Sequence, residues 1–154
     1  MTDKEYLIYN NINFFNRYNS FRIKFKDIDE TLENYDVKQV LKIFEELGYS
    51  KTTFVKNGVF FKIKEKEKPF EFYFHVSLKY GVCELILGGK NINTDIFVGG
   101  VYGNILDDIL EYENKKQQSF PLPCFSNYNE LKEILNNSLS IYEDYKTEFI
   151  KQFS

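Results

Sequence analysis

The sequence predicts an α+β fold in which helices at both ends of the chain flank a four- to five-stranded, mainly antiparallel meander sheet. Three observations predict this fold. Apolar and polar residues alternate across the middle of the chain, as they do in half-buried strands. Short turns separate these runs, and short turns favour antiparallel neighbours. On both sides, apolar residues recur every three or four positions after helix-capping residues, which is typical of amphipathic helices.

The segment from residue 52 to 101 is interpreted as four consecutive strands. Alternation of apolar and polar residues defines the first two strands. In the second strand the apolar residues share one face, and His75 lies on the other face. The third run is apolar on both sides apart from Glu84, which predicts a central strand with both faces at least partly covered. A turn is expected to begin at Gly88-Gly89. The predicted strands, in chain order, are 59–64, 70–79, 82–87 and 96–101.

The N-terminal region is predicted to begin with a helix from about Asp3 to Tyr18, because Thr2 and Glu5 have the spacing of a capping box. Residues 20–26 then alternate between apolar and basic side chains over most of their length. This pattern predicts either an edge strand, whose lysines would discourage pairing with foreign strands, or a continuation of the helix. The sequence leaves both interpretations open.

Two further helices are predicted on either side of the sheet. Asp36 precedes a helical stripe of apolar residues that Gly48 ends. After the sheet, Asn104 is expected to cap a helix that runs through Glu113. The order of these elements places helices before and after the strands, as expected for an α+β fold.

The C-terminal region is predicted to hold an extended crossing and a final helix. Pro121 and Pro123 fix the backbone in a non-helical conformation and predict the crossing. Asn127 and Glu130 have the spacing expected of residues that cap a helix. No linker or repeat interrupts the sequence, so one domain over residues 1–154 is expected.

The length and charge of the chain limit the range of possible functions. The chain has 154 residues and a formal net charge of −3, with a pI of about 5.3. A mildly acidic chain is a poor general binder of nucleic acid, because binding needs basic residues that neutralise phosphates. An acidic surface suits a basic protein partner. Mild acidity also keeps a protein in solution without any partner.

Targeting, membrane and metal signals are not recognised in the sequence. Asn and charged residues interrupt the apolar run near the N-terminus, and the longest uncharged apolar stretch, 96–106, is too short to cross a membrane. A cytoplasmic protein without a membrane partner is therefore expected. Cys83 and Cys124 are distant from each other and lack the spacing of a metal site, so neither a metal nor a cofactor is expected.

His75 is the only histidine, and it is the one candidate for acid–base or nucleophilic catalysis. The sequence has no nucleophile motif such as Gly-x-Ser-x-Gly to accompany it. The glycine-rich turn 99–104 leads into a helix but lacks the full dinucleotide-binding fingerprint. The chain is therefore not expected to be an enzyme. A small ligand-binding or hydrolytic domain with a pocket near His75 is the alternative.

Two acidic clusters are the candidate partner-binding sites. One lies within residues 27–36 and the other within residues 107–113, and neither has the spacing of a calcium loop. Each is either a solvated surface or a docking surface for a basic partner. The first choice for partner binding is Asp107, Asp108, Glu111 and Glu113, and the second is Asp29, Glu30 and Glu33.

Four features stand together at the C-terminal end of the chain. They are Pro121 and Pro123, Phe125-Ser126, Tyr128-x-Glu130-Leu131, and the run from Ile141 to Lys146. With these features the segment resembles the end of immunity proteins from bacterial polymorphic toxin systems. The resemblance implies a small cytoplasmic protein that binds and neutralises one cognate toxin domain, and it transfers no catalytic residue. The acidic charge favours a basic toxin such as a nuclease, and no nucleic-acid partner is expected.

Overall fold

A computed structural model describes residues 1–26 and 29–154, and its strands form one five-stranded antiparallel sheet. The strands follow one another across the sheet in chain order, so the predicted meander is confirmed. A short strand at the start of the segment, β1, supplies the fifth strand. The strands are β1 Thr53–Val55, β2 Phe60–Glu67, β3 Phe70–Ser77, β4 Glu84–Asn91 and β5 Ile96–Val101.

Helices precede and follow the sheet, as predicted. They are α1 Asp3–Asn11, α2 Phe14–Lys24, α3 Val37–Glu46, α4 Tyr102–Tyr112 and α5 Tyr128–Phe153. Helices α3, α4 and α5 pack on the sheet, while α1 and α2 pack on α4 and α5. Within the described ranges, none of the helices combines the length and apolarity needed to cross a membrane.

The N-terminal region corrects one prediction and decides between two alternatives. The predicted first helix is two helices, because the chain breaks at Asn13, whose φ of 56° is left-handed. Of the two interpretations left open for residues 20–26, the edge strand is wrong and the continuation of the helix is confirmed, since α2 continues to Lys24. Phe21 and Phe25 are 5% and 4% exposed, whereas Ile23 between them is 48% exposed. Their alternation therefore reflects the i, i+4 spacing of a buried helix face.

The predicted caps of α3 and α5 are confirmed. The Asp36 side chain accepts a hydrogen bond from the N–H of Lys38, and the Asn127 side chain accepts one from the N–H of Glu130. The Glu130 carboxylate in turn accepts bonds from the N–H and hydroxyl of Ser126, at 2.7 and 2.6 Å. These bonds satisfy backbone donors that a helix start leaves free.

The start of α4 was not predicted correctly. Asn104 is not its cap, because the helix begins at Tyr102 with Val101 in the capping position. The buried Tyr102 hydroxyl donates a hydrogen bond to the carbonyl of Ser138 on α5 at 2.9 Å. This long-range contact ties the first residue of α4 to α5, and nothing local in the sequence indicates it.

The Gly88-Gly89 pair lies inside β4 rather than in a turn, which corrects the prediction. Gly89 pairs with Phe72 and faces α5. A Cβ at Gly89 would lie 2.9 Å from the Tyr145 hydroxyl oxygen and 3.0 Å from the Phe149 ring. A glycine is needed at this position because the helix comes so close to the strand. The paired glycines therefore mark close packing instead of a chain reversal.

Rings from the sheet and from α5 form much of the core. Phe72 and Phe149 meet edge to face with centroids 5.5 Å apart, and Phe74 lies 5.7 Å from Tyr142. The Tyr145 hydroxyl donates to the carbonyl of Val98 at 2.6 Å. Such aromatic pairs each add about 0.5–1.5 kcal/mol beyond the burial of their area. These contacts hold α5 against β3 and β5.

The sheet consequently has two unlike faces. The covered face, which lies under the helices, consists of the buried residues Phe61, Ile63, Phe70, Phe72, Phe74, Val76, Leu85, Leu87 and Val98. No helix of the described chain packs on the opposite side. This open face consists of Thr53, Val55, Phe60, Lys62, Lys64, Lys66, Glu71, Tyr73, His75, Ser77, Glu84, Ile86, Gly88, Lys90, Phe97, Gly99 and Val101.

Candidate functional site

The acidic residues predicted on α4 lie beside the first turns of α1. The Tyr6 hydroxyl donates to Glu113 Oε2 at 2.6 Å, and the Tyr112 hydroxyl donates to Asp3 Oδ1 at 2.5 Å. The two tyrosine rings stack with centroids 4.1 Å apart and an angle of 17° between their planes. Two reciprocal tyrosine–carboxylate bonds thus join the helices.

This junction brings carboxylates of the two helices together. The resulting acidic face consists of Asp3, Glu5, Asp107, Asp108, Glu111 and Glu113. Burial raises the pKa of Asp108, and repulsion from Glu111, Asp107 and Glu5 raises it further, although the N-terminal amine acts in the opposite direction. Carboxylates that repel one another in this way favour a cationic neighbour. The acidic face can therefore attract a basic group.

The members of the acidic face differ in accessibility. Asp108 and Glu111 are exposed and have no ion-pair partner among the described residues. Glu113 is engaged within the protein, because hydrogen bonds from Tyr6 and Lys115 lower its pKa. Asp107 is half-buried, and its Oδ1 has no hydrogen-bond partner in the described part of the chain. Asp108 and Glu111 are thus the predicted residues most open to a partner.

Asp3 and Glu5 were not predicted as members of the site. Glu5 belongs to the capping box of α1, and acidic residues in a first helical turn are expected there for local reasons. Asp3 meets Tyr112 across 109 residues of sequence. The only available sequence signal was the acidic character of both segments, which does not reveal that they meet.

The second predicted cluster lies elsewhere on the fold. Asp29, Glu30 and Glu33 are exposed, and Asp27 of the same cluster lies outside the described residues. Their loop is held by the N–H of Leu32, which donates to the carbonyl of Phe125 at 2.8 Å. This contact places the loop near the start of α5, whereas the acidic face lies at the junction of α1 and α4. The structure therefore presents two separate candidate surfaces.

His75 lies half-buried on the open face of the sheet. Its ring centroid is 4.7 Å from that of Phe60 and 6.4 Å from that of Tyr73. Burial lowers the pKa of His75, and the positive charge of Lys62 lowers it further. A cavity of about 620 Å³ lies between α2 and α5, and His75 does not line it. The described residues contain no group of three His, Cys, Asp or Glu that could hold a metal ion.

The open face was not predicted as a candidate functional surface. Its lysines alternate along β2, and its exposed or half-buried rings come from β2, β3 and β5. The signal that could have identified this surface is the same alternation that predicted the strands, because it also places the lysines and rings on one side.

Comparison of the chain with models of protein families, with curated proteins and with solved structures gave no match. The resemblance to immunity proteins therefore rests on the C-terminal residues alone. The described chain thus presents three candidate surfaces, which are the acidic face, the loop with Asp29, Glu30 and Glu33, and the open face.

Proposed function

We propose that this chain is an immunity protein that binds and neutralises a cognate bacterial toxin domain through its acidic face. The observation that carries the proposal is the meeting of carboxylates from α1 and α4 around the stacked pair Tyr6 and Tyr112. The resemblance of the C-terminal segment to immunity proteins supplies the class of partner.

Electrostatics supports a basic toxin as the partner. Asp108 and Glu111 are exposed, and neighbouring carboxylates contribute to the raised pKa of Asp108. A surface field of one sign increases the rate of encounter with an oppositely charged protein. A nuclease carries positive charge where it binds phosphates. The acidic face would therefore steer a nuclease onto this chain and cover the surface that the nuclease needs.

The tyrosine pair supplies an anchor for the bound state. Tyr112 is 37% exposed within the acidic face. An aromatic side chain inside a polar rim is a common arrangement at interface hot spots. Asp3 holds the Tyr112 hydroxyl and Tyr6 stacks on its ring, so the side chain loses little freedom when a partner covers it.

Co-expression tests the proposed neutralisation. The chain is expressed together with the toxic C-terminal domain of the large secreted protein that we expect the neighbouring reading frame to encode. Cells that produce the toxin domain alone should die, and cells that produce both proteins should grow. Death in both cultures, with both proteins present at normal levels, would contradict the proposal.

Charge reversal tests the location of the interface. Asp108→Lys together with Glu111→Lys is expected to slow association with the purified toxin domain roughly tenfold or more at low salt, and to reduce its salt dependence. The matched control is Asp29→Lys together with Glu30→Lys, which changes the charge equally in the other exposed cluster and should leave the rate unchanged. If only the control slows association, the loop is the docking surface.

A further inference from the structure

The open face of the sheet carries a diagonal row of rings. His75 of β3 lies against Phe60 of β2, with ring centroids 4.7 Å apart, and Tyr73 lies 6.4 Å beyond His75. Tyr73 pairs with Gly88 on β4, and the ring of Phe97 lies over Gly88, 3.2 Å from the place that a Cβ would occupy. The row therefore crosses the sheet from β2 to β5.

Small residues lie under the β5 end of this row. Gly88 and Gly99 stand opposite each other on β4 and β5, next to Tyr73, and they place no side chain between the rings. Phe97 is 58% exposed. The Tyr73 hydroxyl donates to Glu71 Oε2 at 2.7 Å, which holds the ring in position. The row thus ends in an exposed ring, Phe97, beside a tyrosine whose hydroxyl is held by Glu71.

Lysines border the rings. Lys62, Lys64 and Lys66 alternate along β2, and Lys90 pairs with Phe97 across β4 and β5. The Lys64 Nζ lies 5.8 Å from the centroid of the Tyr73 ring. The segment 51–101 contains eight lysines and five acidic residues, whereas the rest of the chain contains twelve basic and eighteen acidic residues. The five strands hold four lysines and four glutamates, but all four lysines lie on the open face, where only Glu71 and Glu84 oppose them.

We propose that the open face binds single-stranded RNA. Unpaired bases stack on the rings, while Lys62, Lys64 and Lys90 contact the phosphates. Lys66 is already paired with Glu71, with 3.7 Å between Nζ and Oε1. Proteins bind single strands by this combination of aromatic side chains and a positively charged track. The proposal is independent of toxin neutralisation, because it concerns the side of the sheet that faces away from the helices and the acidic face.

The rings distinguish RNA from an acidic protein as the partner. Charge alone admits both, since each carries negative groups that lysines attract. Planar bases stack on aromatic side chains, and this stacking tolerates any base because every base has a π face. Acidic side chains offer no such planar apolar surface. The row of rings therefore favours a nucleic acid.

Two polar residues favour RNA over DNA. Ser77 and Glu84 pair across β3 and β4, two residues along from the pair His75 and Ile86 and on the same open face. A hydroxyl and a carboxylate can both accept a hydrogen bond from a ribose 2′-hydroxyl. Deoxyribose lacks that donor, so only RNA can offset the repulsion between this carboxylate and the phosphates with a hydrogen bond.

Fluorescence anisotropy of a fluorescein-labelled oligouridine, titrated with the intact chain at several salt concentrations, tests the proposal. We expect binding that weakens as salt rises. Tyr73→Ala together with Phe97→Ala should weaken it at least about tenfold, because each stacked base contributes to affinity. Lys62→Ala together with Lys64→Ala should reduce the salt slope by about 0.7 for each phosphate that the variant no longer neutralises.

Matched controls change the same residue types away from the open face. Tyr80→Ala removes a tyrosine that is 74% exposed on the β3–β4 connection. Lys38→Ala together with Lys151→Ala removes two exposed lysines from helices. Neither control should change RNA binding, and thermal unfolding establishes that every variant is folded. Equal losses in the controls and the open-face variants would contradict the proposal.

Three other results would overturn it. Failure of the folded chain to bind oligouridine at low salt would refute RNA binding. Equal affinity for the matching oligodeoxyuridine would refute the preference for ribose. Displacement of the RNA by polyglutamate, combined with unchanged binding in the ring variant, would assign the face to an acidic protein.

Discussion

The covered face and the open face of one sheet differ in what their side chains contact. On β3, Phe72 and Phe74 are buried against rings of α5. Their chain neighbours Tyr73 and His75 lie on the other side, in contact with side chains of the sheet itself. Alternation along one strand thus separates residues that stabilise the fold from residues that are free to recognise a partner.

The charges follow a similar division. Lysines line the open face along β2, whereas carboxylates gather at the junction of α1 and α4 beyond the covered face. Each surface has a sign that the net charge of −3 does not reveal. Charge separated in this way allows one small protein to attract partners of opposite kinds on different sides.

Truncation on the two faces of β3 should show their difference most clearly. Phe74 is 0% exposed, so Phe74→Ala should lower the free energy of unfolding by about 3–5 kcal/mol through reduced burial and a cavity. Tyr73→Ala on the open face should lower it by less than about 1 kcal/mol, because surface substitutions usually have small effects. Urea denaturation of both variants measures the difference. Similar losses would show that the open face also supports the fold.

Glycines test how closely α5 approaches the covered face. Gly89→Ala should destabilise the protein by about 1–3 kcal/mol, because its Cβ would lie 2.9 Å from the Tyr145 hydroxyl and 3.0 Å from the Phe149 ring. Gly103→Ala is the matched control, since a Cβ there meets nothing within 4 Å. In helix α4 this alanine should stabilise by about 0.5–1 kcal/mol. Thermal melting that shows Gly89→Ala to be neutral would contradict the close approach.

The pH dependence of stability tests the environment of the open face through His75. Burial, and then Lys62, lowers the pKa of His75 in the folded state. The unfolded chain therefore binds more protons, and stability contributed by this residue rises with pH up to about 6.5. His75→Gln should flatten the rise in the free energy of unfolding between about pH 5 and 7. An unchanged slope would mean that the open face does not disfavour the charged imidazole.

Asp108 should show the opposite, smaller dependence. Burial, and then its neighbouring carboxylates, raises the pKa of Asp108 in the folded state. The folded chain therefore binds more protons, and stability falls as pH rises through the folded pKa. Asp108→Asn should stabilise the protein at neutral pH by about a few tenths of a kcal/mol, the usual size for a surface position. The exposed Glu45→Gln serves as control, and destabilisation by Asp108→Asn would contradict repulsion within the acidic face.

The helix caps show how local information predicted part of the fold. Asp36 and Asn127 bond to backbone N–H groups within three residues, so the sequence alone indicates these helix starts. Tyr102 begins α4 with a hydrogen bond to Ser138, which is 36 residues away. Asn104 was the better local cap and was still wrong, because the helix begins two residues earlier, at a tyrosine buried against α5.

The candidate site divides in the same way. Asp108 and Glu111 were predicted because their acidic character is visible in the sequence. Their association with Asp3 and Glu5 was not, because it depends on how α1 packs against α4. The lysines and rings of the open face were visible as a pattern, but their exposure depends on the helices packing on the other side.

The order of residues along the chain was sufficient to predict the α+β class, the antiparallel meander and the alternation of β3, because these features depend on hydrophobic period and on short turns. Only the tertiary structure determined that residues 20–24 are helical, that α5 packs against Gly89, and that α1 contributes to the acidic face. These features depend on side chains that are distant in sequence and pack in one core. Such packing overrides the local preference of a segment for helix, strand or turn.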